Sequence, residues 1–183
     1  MEIAALILNE GTNDFMDFYL QRLQDAIGAV TANMSPEMLG CRPRPDKWSA
    51  AEILEHLYLT YTGTTKGFEK CIAAGKPLAR ARTLADRMRT ALVVGIGYLP
   101  EGRQSPKNAM PQGIAGDRVL AEFAEKILKM DAAIAEAEAR FGSQAPLLDH
   151  PILGPLRACQ WRKFHWVHGR HHLKQLQRLR EKL

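Results

Sequence analysis

Four long segments of the sequence place apolar residues at intervals of three and four, the spacing of one face of an α-helix. Each segment therefore predicts an amphipathic helix whose apolar stripe is buried against its neighbours. No segment of comparable length alternates apolar and polar residues, so little β-structure is expected. Four such helices predict an all-α fold, a four-helix bundle, and the 183 residues suit a single domain over 1–183. The predicted helices span residues 13–33, 49–75, 117–141 and 156–182.

Local signals mark where several of these helices begin and end. Ser49 and Glu52 have the spacing of a capping box, in which each side chain accepts a hydrogen bond from the other residue's backbone N–H. The second helix is therefore expected to begin at Ser49. Thr12 or Asn13 can cap the first helix, and Gly142 can end the third.

The segment 75–116, between the second and third helices, is rich in proline and glycine. It predicts a long crossover connection that is mostly loop, with one short helix over 82–94. A connection of this length joins distant helix ends or covers a site. We expect it to pack over one end or side of the bundle. A shorter turn at 150–155 precedes the fourth helix.

Four of the six histidines fall between residues 165 and 172, within the fourth helix. Each residue of a helix advances by roughly 100°, so His168 and His172 lie about 40° apart on one face. This i, i+4 spacing lets two imidazoles reach one metal ion, although the pair alone also fits ordinary core or surface histidines. His56, at the edge of the apolar face of the second helix, is the candidate third ligand. The sequence therefore predicts a divalent metal site at His56, His168 and His172.

Small residues follow His56 along one strip of the second helix, namely Thr60, Gly63 and Gly67. A glycine inside a helix costs roughly 1 kcal/mol relative to alanine, so these glycines need a reason. They either let another element pack closely or leave open space beside the metal. Glu52 precedes His56 by one turn, where it can orient the imidazole or simply serve the helix cap.

Other residues of the fourth helix lie near the predicted ligands. Trp161 and Gln175 share the histidine stripe, so Gln175 can support a ligand or simply pack. His165 and His171 point roughly 60° to either side of His168, where they can line a pocket or face solvent. No residue of the sequence stands out as a general base.

The positive charge of the chain, +5 overall, is concentrated in the last helix. Residues 157–183 carry eight lysines and arginines and one acidic residue. A basic helix can bind nucleic acid, but most of these cations fall opposite the histidine face, which favours a solvated outer surface. Nucleic acid is therefore not an expected partner. The cations on that outer side are Arg162, Lys163, Arg170, Lys174 and Arg180.

Trp166 and Leu173 form an apolar pair near the same outer side of the helix. An apolar pair at that place needs a cover, which either the crossover or a second subunit can supply. A homodimer is therefore one expectation.

The cysteines and the N-terminus predict the compartment. Cys41, Cys71 and Cys159 are widely spaced and form no CxxC pair, which is typical of free thiols in a reducing compartment. The sequence opens without the basic and apolar stretches of a signal peptide, and its longest apolar run, 91–99, is too short to span a membrane. We expect a cytoplasmic protein with no membrane partner.

Two stretches of the chain carry a family resemblance. Residues 47–57, KWSAAEILEHL, are similar to the W-S-x-x-E-x-x-x-H-L pattern that opens a family's second helix. Residues 168–175, HGRHHLKQ, preceded by HPILGPL at 150–156 and QW at 160–161, are similar to the H-x-x-H-H-x-x-Q signature of its last helix. Together they resemble the DinB/YfiT-like superfamily of metalloenzymes over nearly the whole chain. Arg157 departs from the pattern, because relatives often carry a Ser or Thr helix cap near that position.

The resemblance implies a four-helix bundle of the DinB/YfiT-like type, with a long crossover between helices two and three. It also implies a zinc or nickel ion held by histidines at the positions of His56, His168 and His172. Some relatives are metal-dependent transferases that use low-molecular-weight thiols such as mycothiol or bacillithiol. The detailed pattern looks closest to a branch whose substrate is not known.

Three neutral imidazoles leave a metal ion with open positions, which is the pattern of catalytic rather than structural sites. Such an ion can lower the pKa of a bound water or thiol. The first hypothesis is therefore a metal-dependent transferase or hydrolase that adds a small thiol or water to a small-molecule substrate. The alternative is a metal-stabilised binding or interaction protein without turnover, and a nucleic-acid-binding protein ranks below both. Because imidazole must be neutral to bind a metal, affinity is expected to fall as the pH drops through about 6.5.

Overall fold

The computed structural model describes residues 16–100 and 105–181, and this part of the chain is mostly helical. The helical prediction is therefore confirmed, and a small antiparallel sheet is added to it. Within the described residues, six α-helices and two strands follow one another as α1 (Phe18–Thr31), α2 (Pro36–Gly40), α3 (Ala50–Ala73), α4 (Leu84–Thr90), α5 (Gly116–Phe141), β1 (Leu148–His150), β2 (Gly154–Leu156) and α6 (Ala158–Arg180). A π-helical stretch, Ala91–Ile96, continues α4, and Lys107–Ala109 forms one turn of 3-10 helix.

The capping box places the start of α3 as predicted. The hydroxyl of Ser49 accepts a hydrogen bond from the backbone N–H of Glu52 at 3.2 Å, and the Glu52 carboxylate accepts one from the N–H of Ser49 at 2.8 Å. At the other end of α3, Gly75 adopts a left-handed conformation with φ +64°, which glycine reaches without strain. These two signals define the register of the helix that carries His56.

The start of α1 differs from the prediction. The N-terminal cap of α1 is Asp17, whose carboxylate accepts a hydrogen bond from the N–H of Tyr19 at 2.9 Å. The predicted caps Thr12 and Asn13 lie outside the described residues. The predicted apolar stripe is correct, and its buried members are Leu20, Leu23, Ile27 and Val30.

The four long helices share one core. Helix α3 packs most extensively against α5, and α1 packs against α6, while α6 also contacts α3 and α5. Since this core is close-packed, truncating a fully buried leucine such as Leu57 to alanine should cost about 2–5 kcal/mol. The largest fully buried side chains are those of Tyr61, Phe68, Leu20, Leu23, Ile27, Leu54, Leu57, Ile127, Met130, Ile134, Leu147 and Leu153.

The turn before α6 closes a two-stranded hairpin that the sequence did not predict. Strand β1 pairs antiparallel with β2 in the register Leu148 to Leu156 and His150 to Gly154. Each strand has three residues, too few for an alternating pattern to be visible. Gly154 has φ +74°, and a Cβ there would lie 2.6 Å from the Asp86 carboxylate, so the turn needs glycine.

The crossover lies against the helices rather than apart from them. Its short helix, predicted over 82–94, is α4 with its π-helical extension. Asp86 anchors this helix, because its buried carboxylate accepts hydrogen bonds from Arg80 at 2.7 Å and from Arg89 at 2.6 Å. These partners and the Thr83 cap hold the pKa of the Asp86 carboxyl far below its usual range. Helix α4 contacts β2, and the turn Lys107–Ala109 contacts α3.

Within residues 16–100 and 105–181, no helix combines the length and the apolar character needed to cross a membrane.

Candidate metal centre

Three imidazoles converge between α3 and α6. The Nε2 atom of His168 lies 3.1 Å from Nε2 of His56 and 3.2 Å from Nε2 of His172. His168 and His172 stand one turn apart on α6, and His56 faces them from α3. His56 and His172 are buried, whereas His168 is partly exposed. The three histidines predicted from the sequence therefore lie together and could hold a metal ion.

Neighbouring groups orient two of the three rings. The Nδ1 of His56 lies 2.7 Å from the backbone carbonyl oxygen of Ala109. A carbonyl can only accept, so this Nδ1 carries the proton and donates it. The Nδ1 of His172 likewise donates to the side-chain oxygen of Gln175 at 2.9 Å. Both rings therefore present an unprotonated Nε2 to the centre of the cluster.

The arrangement is compatible with a metal ion, since the three ligand nitrogens lie within 4.8 Å of one another. The Nε2 lone pairs of His56 and His172 both face Nε2 of His168, and a single proton on His168 can satisfy only one of them. A cation among the three nitrogens satisfies all of them. Two imidazoles that each bind zinc at roughly 2.0–2.1 Å in tetrahedral geometry have nitrogens about 3.3 Å apart, close to the observed separations.

Burial keeps these imidazoles neutral. Loss of hydration lowers the pKa of His56 below its ordinary value, and it lowers the pKa of His172 to about 3. Burial, reinforced by His172 and His56, also lowers the pKa of His168 well below 6.5. Neutral imidazole is the form that binds metals, so all three are ready to act as ligands at neutral pH.

Glu52 takes the capping role and does not contact His56. Its carboxylate accepts hydrogen bonds from the N–H of Ser49 and from Nε of Arg42, the latter at 2.9 Å. The group that orients His56 is instead the Ala109 carbonyl of the crossover. No sequence signal could identify it, because any residue has a carbonyl and only the fold brings this one to His56.

The strip of small residues after His56 serves both purposes that the sequence left open. A Cβ on Gly67 would lie 2.5 Å from the side chain of Leu148 in β1, so this glycine allows close packing. Gly63 has no neighbour within 4 Å of the place where a Cβ would be, so it borders open space. The Thr60 hydroxyl donates to the carbonyl oxygen of His56 at 2.8 Å. All three residues line a cavity that borders the three clustered histidines, and we call it the histidine cavity.

Trp161 lines the cavity beside the cluster, whereas His165 is not among the residues that line it. The indole N–H of Trp161 donates to the carbonyl of Leu148 at 3.3 Å. The His165 ring stacks on Trp161 with centroids 5.9 Å apart and is fully buried, so it does not face solvent. Burial lowers the pKa of His165 to about 3. Both of its ring nitrogens, and the hydroxyl of Tyr61, lack a hydrogen-bond partner within the described residues.

Gln175 links two histidines of α6. Its oxygen accepts from His172, and its amide nitrogen lies 3.3 Å from Nε2 of His171. His171 lines the cavity, which is one of the two roles that its position in the sequence allowed. Gln175 therefore supports a predicted ligand instead of only packing.

The cluster borders a cavity of about 1340 Å³. Its walls come from α3, the crossover, the hairpin and α6, and its volume exceeds the roughly 300–1,000 Å³ of common small-molecule sites. Two aromatic wall residues were not singled out in the sequence. Phe164 stacks on His168 with centroids 5.5 Å apart, and His150 contacts Phe164 with centroids 4.2 Å apart. The position of Phe164, one turn before His168, was the signal that could have identified it.

Two expectations for the outer side of α6 are corrected. Arg162 is not solvated, because only 13% of its side chain is exposed and it pairs with Asp131 at 2.7 Å and Glu138 at 2.6 Å. Trp166 is buried within the chain, and the guanidinium of Arg22 on α1 lies 4.9 Å from its ring centre. Helix α1 therefore supplies a cover for Trp166, and Leu173 is partly buried against the core. The homodimer stays a prediction.

The fold and the cluster define a mostly helical protein with three histidines that could hold a metal ion. The chain belongs to the family described as "Protein of unknown function (DUF1569)", whose model matches residues 12–179. No curated protein and no solved structure matches the chain.

Proposed function

We propose that His56, His168 and His172 hold one divalent ion, zinc or nickel, and that the protein is a metal-dependent transferase or hydrolase. In this proposal a small thiol or water is added to a small-molecule substrate bound in the histidine cavity. The observation that carries it is the convergence of three Nε2 atoms at the wall of that cavity, two of them oriented by hydrogen bonds at Nδ1.

The residues of the chain have separable roles in such a reaction. The Ala109 carbonyl and Gln175 keep the Nε2 lone pairs of His56 and His172 directed at one point. Phe164, stacked on His168, presents an apolar surface that limits access of water. A divalent ion held by neutral ligands would lower the pKa of a thiol or water and polarise a carbonyl.

We also propose that the fold is a four-helix bundle of the DinB/YfiT-like type. The order of elements supports this, because α1, α3, α5 and α6 share one core and the long crossover joins α3 to α5. The two motif stretches support it as well, since they contain the three clustered histidines. The described cysteines Cys41, Cys71 and Cys159 are free thiols. Free thiols are typical of a reducing compartment such as the cytoplasm, where low-molecular-weight thiols are available.

A metal-stabilised binding protein without turnover is the second candidate. The carboxylates that line the cavity within the described residues are those of Asp46 and Asp149. Asp46 lies 3.6 Å from Arg44 and from Lys47, and Asp149 accepts from the N–H of Arg80 at 3.4 Å. The buried Oδ1 of Asp149 has no hydrogen-bond partner within the described residues. No carboxylate of the described residues forms a hydrogen bond with the three histidines, which favours binding without turnover.

The deciding experiment is metal analysis of protein purified without a histidine tag, followed by a screen for thiol transfer and hydrolysis. We expect one equivalent of zinc or nickel, and turnover that is lost with the metal. Absence of metal under all conditions would reject both candidates. Bound metal that raises the melting temperature without any turnover would favour the binding protein.

A further inference from the structure

A second cavity of about 450 Å³ adjoins the histidine cavity. Its walls are residues 97–99 of the crossover and one side of α6. Leu99, His171 and Arg178 line both cavities, so the two spaces share a border. A molecule bound at the three histidines can therefore extend past His171 into the second space.

The border follows from the geometry of α6. Each residue advances by roughly 100°, so side chains can be ordered by their angle from His168. The angular distance from His168 increases in steps of about 20–40° from the three histidines to the cations of the second cavity, so these side chains form one continuous surface of α6. In this order stand Gln175 at about −20°, His171 at −60°, Arg178 at −80°, Lys174 at −120° and Arg170 at −160°.

Three cations line the second cavity, namely Arg170, Lys174 and Arg178, and we call this space the basic annex. No acidic residue of the described chain lines it. Like charges four residues apart on a helix repel each other, so the row is less favourable without an anion. Lys174 and Arg178 are exposed and have no carboxylate partner within the described residues, whereas Arg162 of the same helix pairs with Asp131 and Glu138.

The crossover holds one of these cations in place. An N–H of the Arg170 guanidinium donates to the carbonyl oxygen of Gly97 at 3.1 Å. Gly97 has φ +80°, and a Cβ there would lie 2.9 Å from the guanidinium. The left-handed backbone at this position favours glycine, and the hydrogen bond places a positive charge on the wall of the annex.

We propose that the basic annex binds a carboxylate or phosphate group of the molecule whose reacting end lies at the three histidines. The identity of that reacting end rests on the function proposed above, while binding of the anion does not. Arg178 lies six residues beyond His172, or roughly 9 Å along the helix axis. The substrate class is therefore an organic anion with an apolar spacer of several atoms between its charged and its reacting ends.

The test is calorimetric titration of the untagged protein with hexyl phosphate, hexanoate, inorganic phosphate and hexanol. We expect hexyl phosphate or hexanoate to bind more tightly than inorganic phosphate and hexanol. Inorganic phosphate has the charged group without the apolar spacer, and hexanol has the spacer without the charged group. The relative affinity of the first two identifies the preferred anion. Equal affinity for hexanol and both anions would overturn the proposal.

Paired variants locate the anion. Replacing two of the three annex cations (K174Q with R178Q) should weaken binding of the preferred anion at least about tenfold, since each removes a hydrogen bond between charged groups. The matched control (K163Q with R87Q) makes the same change in charge at residues that line neither cavity and should stay within about twofold. Equal weakening in both double variants would show a general charge effect and overturn the proposal.

A third variant separates this proposal from the proposed function. His56→Ala should lose metal and yet keep most of its affinity for the anion, because His56 lies outside the annex. If His56→Ala abolishes anion binding while the annex variant retains it, the anion binds at the histidines and the annex has no such role. Lack of metal in the wild-type protein would reject the metal proposal and leave the titrations with the anions valid.

Discussion

The imidazole N–H of His56 donates to the backbone carbonyl oxygen of Ala109 across 2.7 Å, which joins the first histidine of the cluster to the crossover. This contact spans 53 positions of sequence and connects α3 to the turn Lys107–Ala109. Occupancy of the cluster and order in the crossover should therefore be linked, because each restrains the same ring.

Adding zinc or nickel should slow amide hydrogen exchange in residues 105–116, since a bound ion restrains His56 and through it the Ala109 carbonyl. The measurement is exchange followed by mass spectrometry with and without metal. Exchange in residues 120–141 of α5, away from the cluster, is the internal control. Identical exchange in residues 105–116 in both states would contradict the link.

Replacing His56, His168 or His172 by alanine should each remove most of the bound metal, because two ligands remain. His171→Ala is the matched control, since His171 contacts Gln175 but its Nε2 does not join the cluster. Metal content after gel filtration measures the effect. Loss of metal in the control together with retention in His172→Ala would show that the ligand assignment is one residue out of register.

Metal should remain bound to lower pH than an ordinary histidine site allows. Burial lowers the pKa of all three imidazoles, that of His172 to about 3, so protons compete with the metal only at more acidic pH. Release is therefore expected at a lower pH than the value near 6.5 that the sequence alone predicts. Metal content after dialysis in steps from pH 7.5 to 4 tests it, and half-release at pH 6.5 would contradict it.

His165 should make the metal-free protein less stable in acid. Its pKa is about 3 when folded and near 6.5 when unfolded, so between these values only the unfolded state takes up the proton. Stability attributable to this group is full above about pH 6.5 and is lost as the pH falls toward 3, by up to about 1.4 kcal/mol per pH unit. Urea titrations at pH 5, 6 and 7 with a chelator measure the free energy of unfolding. His165→Leu should make this free energy depend less steeply on pH. An unchanged slope would argue against a buried neutral imidazole.

Two glycines of α3 should respond in opposite ways to the same substitution. Gly63→Ala adds a methyl group where no atom lies within 4 Å, so the better helix propensity should stabilise the protein by up to about 1 kcal/mol. Gly67→Ala places the methyl group 2.5 Å from Leu148 and should destabilise it, with an overpacking cost of about 1–3 kcal/mol partly offset by propensity. Denaturant unfolding of both variants compares them, and equal effects would contradict the packing argument.

Local chemistry in the sequence determined the helices and the three histidines. The capping box at Ser49 determines where α3 begins, so His56 can be placed on its face without knowledge of any other element. The i, i+4 relation of His168 and His172 depends only on the pitch of one helix. These inferences succeed because they rest on interactions between residues a few positions apart.

Tertiary structure decided which groups surround those histidines. The methyl side chain of Ala109 gives no indication of a role in the site. Its carbonyl oxygen reaches His56 only because the crossover folds onto α3. Arg162 has the angular position of a surface residue, yet Asp131 and Glu138 of α5 make it a buried ion pair. The basic annex likewise exists only because Gly97 of the crossover meets Arg170 of α6. Contacts between residues so distant in sequence depend on how whole elements pack, and no local pattern of residues encodes them.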